Sequence, residues 1–221
     1  MAFDKSFEEQ WLNKLQIGLK KIGKPDLIIE LIKNKEELSL LKWTDSLMKT
    51  LKKNLTQNEI NEVMIGCACL VPKDYLKTLR KEYAETNDLK HVHQLLQKYF
   101  KKSITKYKNL NEEQLKYIID HDMGMAGKLE GNTIYATKIP KEFHKYFQTT
   151  DIQKKKYYYC HCPRIRELFL NNEKPLDVNY CYCGAGFYKD IWEYILQREV
   201  KVKIIESLMM GDELCKIEIL V

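Results

Sequence analysis

Apolar positions recur at helical spacing through the first half of the chain. Phe7, Trp11, Leu12, Leu15 and Leu19 follow Ser6-Phe7-Glu8-Glu9, a capping-box pattern. Pro25 opens a second predicted helix through Leu27, Ile28, Leu31 and Ile32. A third runs near Glu36 to Lys53, and a capping box at Thr56-Gln57-Asn58-Glu59 precedes Ile60, Val63, Met64 and Cys67. Pro72 ends that helix or starts the next. Further stripes begin near Tyr75 and Leu89, and a last one at Asn111.

The pattern changes after Gly124. Leu129 to Ile139 alternates around Glu130-Gly131-Asn132, which predicts a hairpin. Tyr157–Cys162 and Val178–Cys183 read as extended, and Ala185–Arg198 as a helix. Val200, Val202 and Ile204 alternate with lysines, and Cys215, Ile217, Ile219 and Val221 alternate after Gly211-Asp212. A two-residue turn there pairs Leu208 with Cys215 and Glu206 with Ile217, so Glu206 and Cys215 are expected on one aliphatic face. The resulting fold class is α+β: a helical region, 1–122, packed as one unit with an α+β cysteine-rich region, 123–221, that ends in an antiparallel hairpin.

Composition narrows the classes. Of 221 residues, 44% are hydrophobic and 31% charged, which suits a packed core and excludes fibrous and low-complexity chains. Uncharged stretches such as Val63 to Pro72 reach only about half of the ~20 residues of a membrane span, so no membrane association is expected. The net charge of +6 comes from scattered lysines; only Arg80, Arg164, Arg166 and Arg198 are arginines, and no nucleic-acid partner is expected. The opening Met-Ala-Phe-Asp-Lys lacks a secretory signal pattern, and the seven cysteines are odd in number. Both features point to a reducing cytoplasm, where clustered cysteines signal metal or thiol chemistry.

Six of the cysteines form Cys-x-Cys pairs: Cys67/Cys69, Cys160/Cys162 and Cys181/Cys183. Cys183 precedes Gly184-Ala185-Gly186 and a helix start, which favours a thiolate and makes it the candidate nucleophile. A carboxylate on an apolar face needs a cation, so Glu206 joins Cys183 and Cys215 as a candidate ligand, with Cys181, Cys162, Cys160 and His161 completing the candidate set for a tetrahedral zinc. The same cysteines also read as small buried hydrophobes. Tyr157, Tyr158, Tyr159, Tyr180, Tyr182, Phe187 and Trp192 flank them and could wall an apolar pocket.

Residues 180–221, with Cys-x-Gly before a helix, Glu-Ser at a strand end, then Gly-Asp-x-x-Cys and an alternating strand, resemble the C-terminal half of the 4-vinyl-reductase type domain. They are also similar to the L-2-amino-thiazoline-4-carboxylate hydrolase-like family. With Cys160-His161-Cys162-Pro163 included, the chain looks most like a bacterial family of unassigned function and similar length. The first resemblance implies a small-molecule-binding module in which Cys183, Glu206 and Cys215 match three zinc-ligand positions, while Met209 stands where such members carry a further cysteine. The expected function is therefore a small-molecule-binding protein with a cysteine-rich pocket and zinc as its candidate metal. The alternatives are a metal- or cysteine-dependent hydrolase of a small heterocyclic or amide substrate, and a protein-interaction module.

Overall fold

The computed structural model describes residues 5–69, 71, 73–108 and 110–221. The expectation at Pro72 lies outside them. Seven helices come first: α1 (Lys5–Lys21), α2 (Leu27–Ile32), α3 (Leu40–Asn54), α4 (Gln57–Gly66), α5 (Lys77–Thr86), α6 (Leu89–Lys108) and α7 (Glu112–Asp120). A hairpin follows, β1 (Lys128–Glu130) and β2 (Thr133–Thr137), then α8 (Phe143–Gln148), α9 (Ile152–Tyr159), α10 (Glu167–Leu170) and α11 (Tyr182–Leu196). Strands β3 (Lys201–Glu206) and β4 (Lys216–Leu220) end the chain. The fold is α+β.

Local chemistry explains most boundaries. Thr56 and Glu59 exchange the reciprocal bonds of a capping box at α4, and Asn111 and Gln114 do the same at α7. Ser6, expected as a cap, lies inside α1. Two expected strands are helical instead. At 152–159 the Asp151 carboxylate accepts from the amides of Gln153 and Lys154, and this cap nucleates α9 against the β preference of three tyrosines. At 178–181 the Asp177 carboxylate accepts from the Asn179 amide and starts a 3-10 turn that runs into α11.

The four strands form one antiparallel sheet in the order β1-β2-β4-β3. Ile204 pairs with Ile217 as the apolar alternation requires, but a bulge follows and sets Glu206 opposite Lys216. The connection beyond it is a 3-10 turn over Leu208–Met210, closed by Gly211 at a φ of 97°. The two-residue turn expected at Gly211-Asp212 is absent.

Three apolar cores hold the molecule together, and each draws residues from both sides of position 122. The first joins Trp11, Leu15, Trp43 and Leu51 to Ile165, Leu168 and Tyr180. The second packs α5 and α6 (Leu79, Val92, Leu96) and α11 (Ile191, Trp192, Ile195) on the sheet residues Ile134, Ala136, Ile217 and Ile219. The third gathers Ile104, Ile118, Phe143, Tyr146, Tyr159 and Leu208. Gly186 permits the close packing of α11 on α4, since a Cβ there would stand 2.3 Å from the Ile65 carbonyl oxygen.

One buried ion pair ties the first helix to the cysteine-bearing half. Arg164 Nη2 donates to Glu8 Oε2 at 2.5 Å and Nη1 to Oε1 at 3.3 Å. The guanidinium lies 4.1 Å from the Trp11 ring centroid. Breaking such a pair strands the remaining charge in the interior, so Arg164→Ala should cost about 3–5 kcal/mol. Equilibrium urea unfolding, with Glu8→Gln as a second variant, would measure it; losses under about 1 kcal/mol in both would show the pair to be incidental.

His93 supplies a pH dependence. It is buried, its Nε2 reaches the carbonyls of Ala126 (3.1 Å) and Gly127 (3.2 Å), and burial lowers its pKa from 6.5. The unfolded chain therefore takes up the proton first, and stability that is whole above about pH 6.5 should fall as the pH drops further. In urea titrations at pH 8, 6 and 5, His93→Gln should show a shallower loss below pH 6.5 than the unaltered protein.

Candidate functional site: a thiol-lined cavity at the start of α11

The start of α11, the end of α9 and the mouth of the β3–β4 connection enclose a cavity of about 40 Å³. Cys160, Cys162, Cys181, Cys183 and Cys215 line it, together with Lys138, His161, Ser207, Met209, Tyr159 and Tyr180. The cavity lies where cores meet: Cys162, Cys181 and Cys183 pack on the first, Cys215 on the third and Cys160 on both. The five cysteines, drawn from a stretch of 56 positions, thus converge on one cavity. All seven cysteines are free thiols.

Separate backbone devices bring them in. Cys160 caps the end of α9, its amide donating to the Lys156 carbonyl. The Cys162 carbonyl then accepts from the amides of Ile165 and Arg166, turning the chain toward α10. Cys181 and Cys183 flank the first residue of α11 rather than sharing one face of a strand. They reach one cavity because it lies across the helix start. On the sheet side, the Lys138 amide donates to the Cys215 carbonyl at 2.9 Å. The Tyr159 hydroxyl locks the same corner, donating to the Lys138 carbonyl (2.9 Å) and accepting from the Cys215 amide (2.8 Å).

The sulfurs have polar partners. The Cys162 amide favours the charged form of the Cys160 sulfur, and the Arg164 amide that of the Cys162 sulfur. The Tyr180 hydroxyl reaches Cys162, and the Ser207 hydroxyl reaches Cys181. Lys138 is the cation of the site. The groups acting on its ammonium are Cys215, Cys183, Tyr188 and Cys181, and no carboxylate among the described residues pairs with it. A Cβ at Gly184 would stand 2.0 Å from Lys138 Nζ, so the ammonium rests against the first turn of α11, in space that a side chain there would contest. Lys138 and the five cysteines are half-buried around the cavity, and His161 is exposed.

Burial dominates the thiols. It pushes Cys181 up to about 12, and raises Cys160, Cys162 and Cys183 as well, against the opposing amides, hydroxyls and Lys138. Cys183 was expected to carry a lowered pKa from its helix-start position. Its direction is the reverse, because the desolvation of a sulfur closed in among other thiols outweighs the helix terminus. His161 Nε2 donates to the Ile139 carbonyl at 2.7 Å, and burial with the Lys138 charge lowers its pKa to about 4, which leaves the ring neutral.

Glu206 is not brought in. The bulge turns it to the side of Lys216, and it is absent from the cavity lining. Cys67, at the end of α4, is buried with its thiol pushed to about 12, whereas Cys69 lies beyond the helix and is exposed. Tyr159 and Tyr180 wall the cavity; Tyr157, Tyr158, Tyr182, Phe187 and Trp192 do not. Lys138 was missed in the sequence, where a lysine after a short strand carries no signal. A larger pocket, of about 280 Å³, opens between α6 and α7 beside Phe100, Ile104, Leu115 and Ile118, and none of the cysteines lines it.

Residues 141–221 match a family of unknown function, DUF6144. No curated protein and no solved structure matches the chain. The matched stretch contains every lining residue of the cavity except Lys138.

As a donor set the cavity suits a thiophilic ion, because thiolate and thioether sulfur select such metals. Among the described residues, no three His, Cys, Asp or Glu side chains stand together as a ready-made ligand group. No helix among them is long and apolar enough to cross a membrane. Brief alkylation of the reduced, metal-free protein should label exposed Cys69 first and the cavity cysteines more slowly. Peptide mapping by mass spectrometry that found Cys183 labelled before Cys69 would contradict the closed cavity.

Proposed function

We propose that the chain binds a thiophilic metal ion in this cavity, with cysteine sulfurs as ligands and Lys138 as a countercharge in the fold. The observation that carries the reading is the convergence of five cysteines and Met209 on one small cavity that the Lys138 side chain also lines. The amides of Cys162 and Arg164 favour the charged form of Cys160 and Cys162, and the charged form is the metal ligand. An unpaired ammonium and the start of α11 add positive potential to the same space. Burial opposes that effect in the free protein, so a bound ion must displace the thiol protons.

Size supports an ion over an organic ligand. About 40 Å³ accommodates a few waters or one bare ion. A hydrolase reading would need room beside Cys183 for a heterocyclic or amide substrate, and the cavity is smaller than that. Zinc is the ion expected from the sequence, and the resemblance of residues 180–221 to 4-vinyl-reductase type modules supports it. We place the protein in the cytoplasm, whose reducing conditions keep such thiols free.

Elemental analysis of protein purified anaerobically without added metal should find about one thiophilic ion per chain, and free-thiol counting should return fewer than seven until a chelator is added. Replacing both Cys181 and Cys183 by Ser should abolish the bound metal. Seven reactive thiols in the denatured, unstripped protein, with no uptake on dialysis against zinc or reduced copper, would sink the reading.

A further inference from the structure

Charge and donor type in the cavity narrow the ion further. The inference rests on the metal-binding reading above. One ammonium faces the sulfurs, and no carboxylate among the described residues accompanies it. An apolar cavity tolerates a net charge poorly, so the complex that fits carries a single negative charge to offset Lys138. A monovalent ion with two thiolates has that charge. A divalent ion has it with three thiolates and exceeds it with four, so the neutral donors decide between the two.

Met209 adds a second, independent indication. It lines the cavity beside the five cysteines, and it lies on the 3-10 turn between β3 and β4, held there by its amide donating to the Ser207 hydroxyl at 3.2 Å. A thioether is a neutral, soft donor. It adds a bond to a soft monovalent ion without altering the charge, and it is a poor ligand for a divalent ion that favours thiolate and imidazole. His161, the one imidazole lining the cavity, has Nε2 on the Ile139 carbonyl, which leaves Nδ1 as its only ring nitrogen for a metal.

We infer that the resident ion is reduced, monovalent copper or an ion of its class, held by two of the cavity thiolates and the Met209 thioether, with Lys138 as counter-ion and selectivity residue. Binding displaces one proton from each of the two thiols, and the copper stays in its reduced state throughout. Lys138 acts by charge and takes no place among the ligands.

The test uses the full chain, reduced, stripped of metal and kept anaerobic. Copper(I) is titrated against a chromophoric copper(I) chelator, and zinc against a chromophoric zinc chelator. One copper per chain is expected, with an X-ray absorption edge of a two- or three-coordinate all-sulfur site. Met209→Leu should weaken copper(I) binding at least tenfold and leave zinc binding unchanged. Lys138→Leu should weaken copper(I) binding by a similar factor, with Lys138→Arg retaining part of it. Copper affinity unmoved by Met209→Leu, or a zinc complex formed in preference to copper(I) in direct competition, would overturn the monovalent assignment while leaving the metal site standing. The edge and competition of the unaltered protein decide the question even if a variant misfolds. Binding of neither ion would sink both readings.

Discussion

A guanidinium cannot be left unpaired inside a protein, and the position of Arg164 makes that requirement organise the molecule. It follows Cys162-Pro163, is almost fully buried, and finds its carboxylate at Glu8 on the first helix. Trp11 and Trp43 close over it, and Lys35 reaches the same carboxylate at 3.7 Å. The pair therefore fixes the turn carrying Cys160 and Cys162 against the N-terminal helices. Through the amide of Arg164 it also fixes the sulfur of Cys162, so one residue serves both the core and the site.

The opposite wall of the cavity is held by the sheet. The Tyr159 hydroxyl spans the Lys138 carbonyl and the Cys215 amide, so α9 and the ends of β2 and β4 move as one. Gly184 then leaves space for the Lys138 ammonium at the start of α11. The consequence is an unusual balance. Burial presses the thiols toward neutrality, while an ammonium, a helix start, amides and hydroxyls favour negative sulfur. A soft cation resolves that opposition because it takes the proton's place on sulfur within the same small volume.

The bulge after Ile204 shows how a single residue redirects chemistry. With an unbroken ladder, Glu206 would face the aliphatic side with Ile204 and Ile217. One register shift sets it opposite Lys216 and leaves Ser207 and Met209 on the cavity instead. The site is consequently richer in neutral and soft groups than its sequence neighbourhood implies, with a hydroxyl and a thioether where a carboxylate was expected.

The sequence by itself determined what depends on short-range periodicity. The helices of the first half, the capping boxes at Thr56 and Asn111, the β1–β2 hairpin and the aliphatic alternation of β3 and β4 all follow from spacing and local hydrogen bonding. Two of the three Cys-x-Cys pairs, Cys160/Cys162 and Cys181/Cys183, line one cavity, whereas Cys67/Cys69 does not. The helical turns at Tyr157–Tyr159 and Tyr180–Tyr182 are locally encoded as well, by caps at Asp151 and Asp177 that override β propensity. Tertiary structure decided the rest. Lys138 became the cation of the site only because the sheet and α11 meet there, and its neighbours Cys183 and Cys215 lie 45 and 77 positions away. Burial, which sets the charge on a thiol, is a property of the assembled cores and is not written in any one segment.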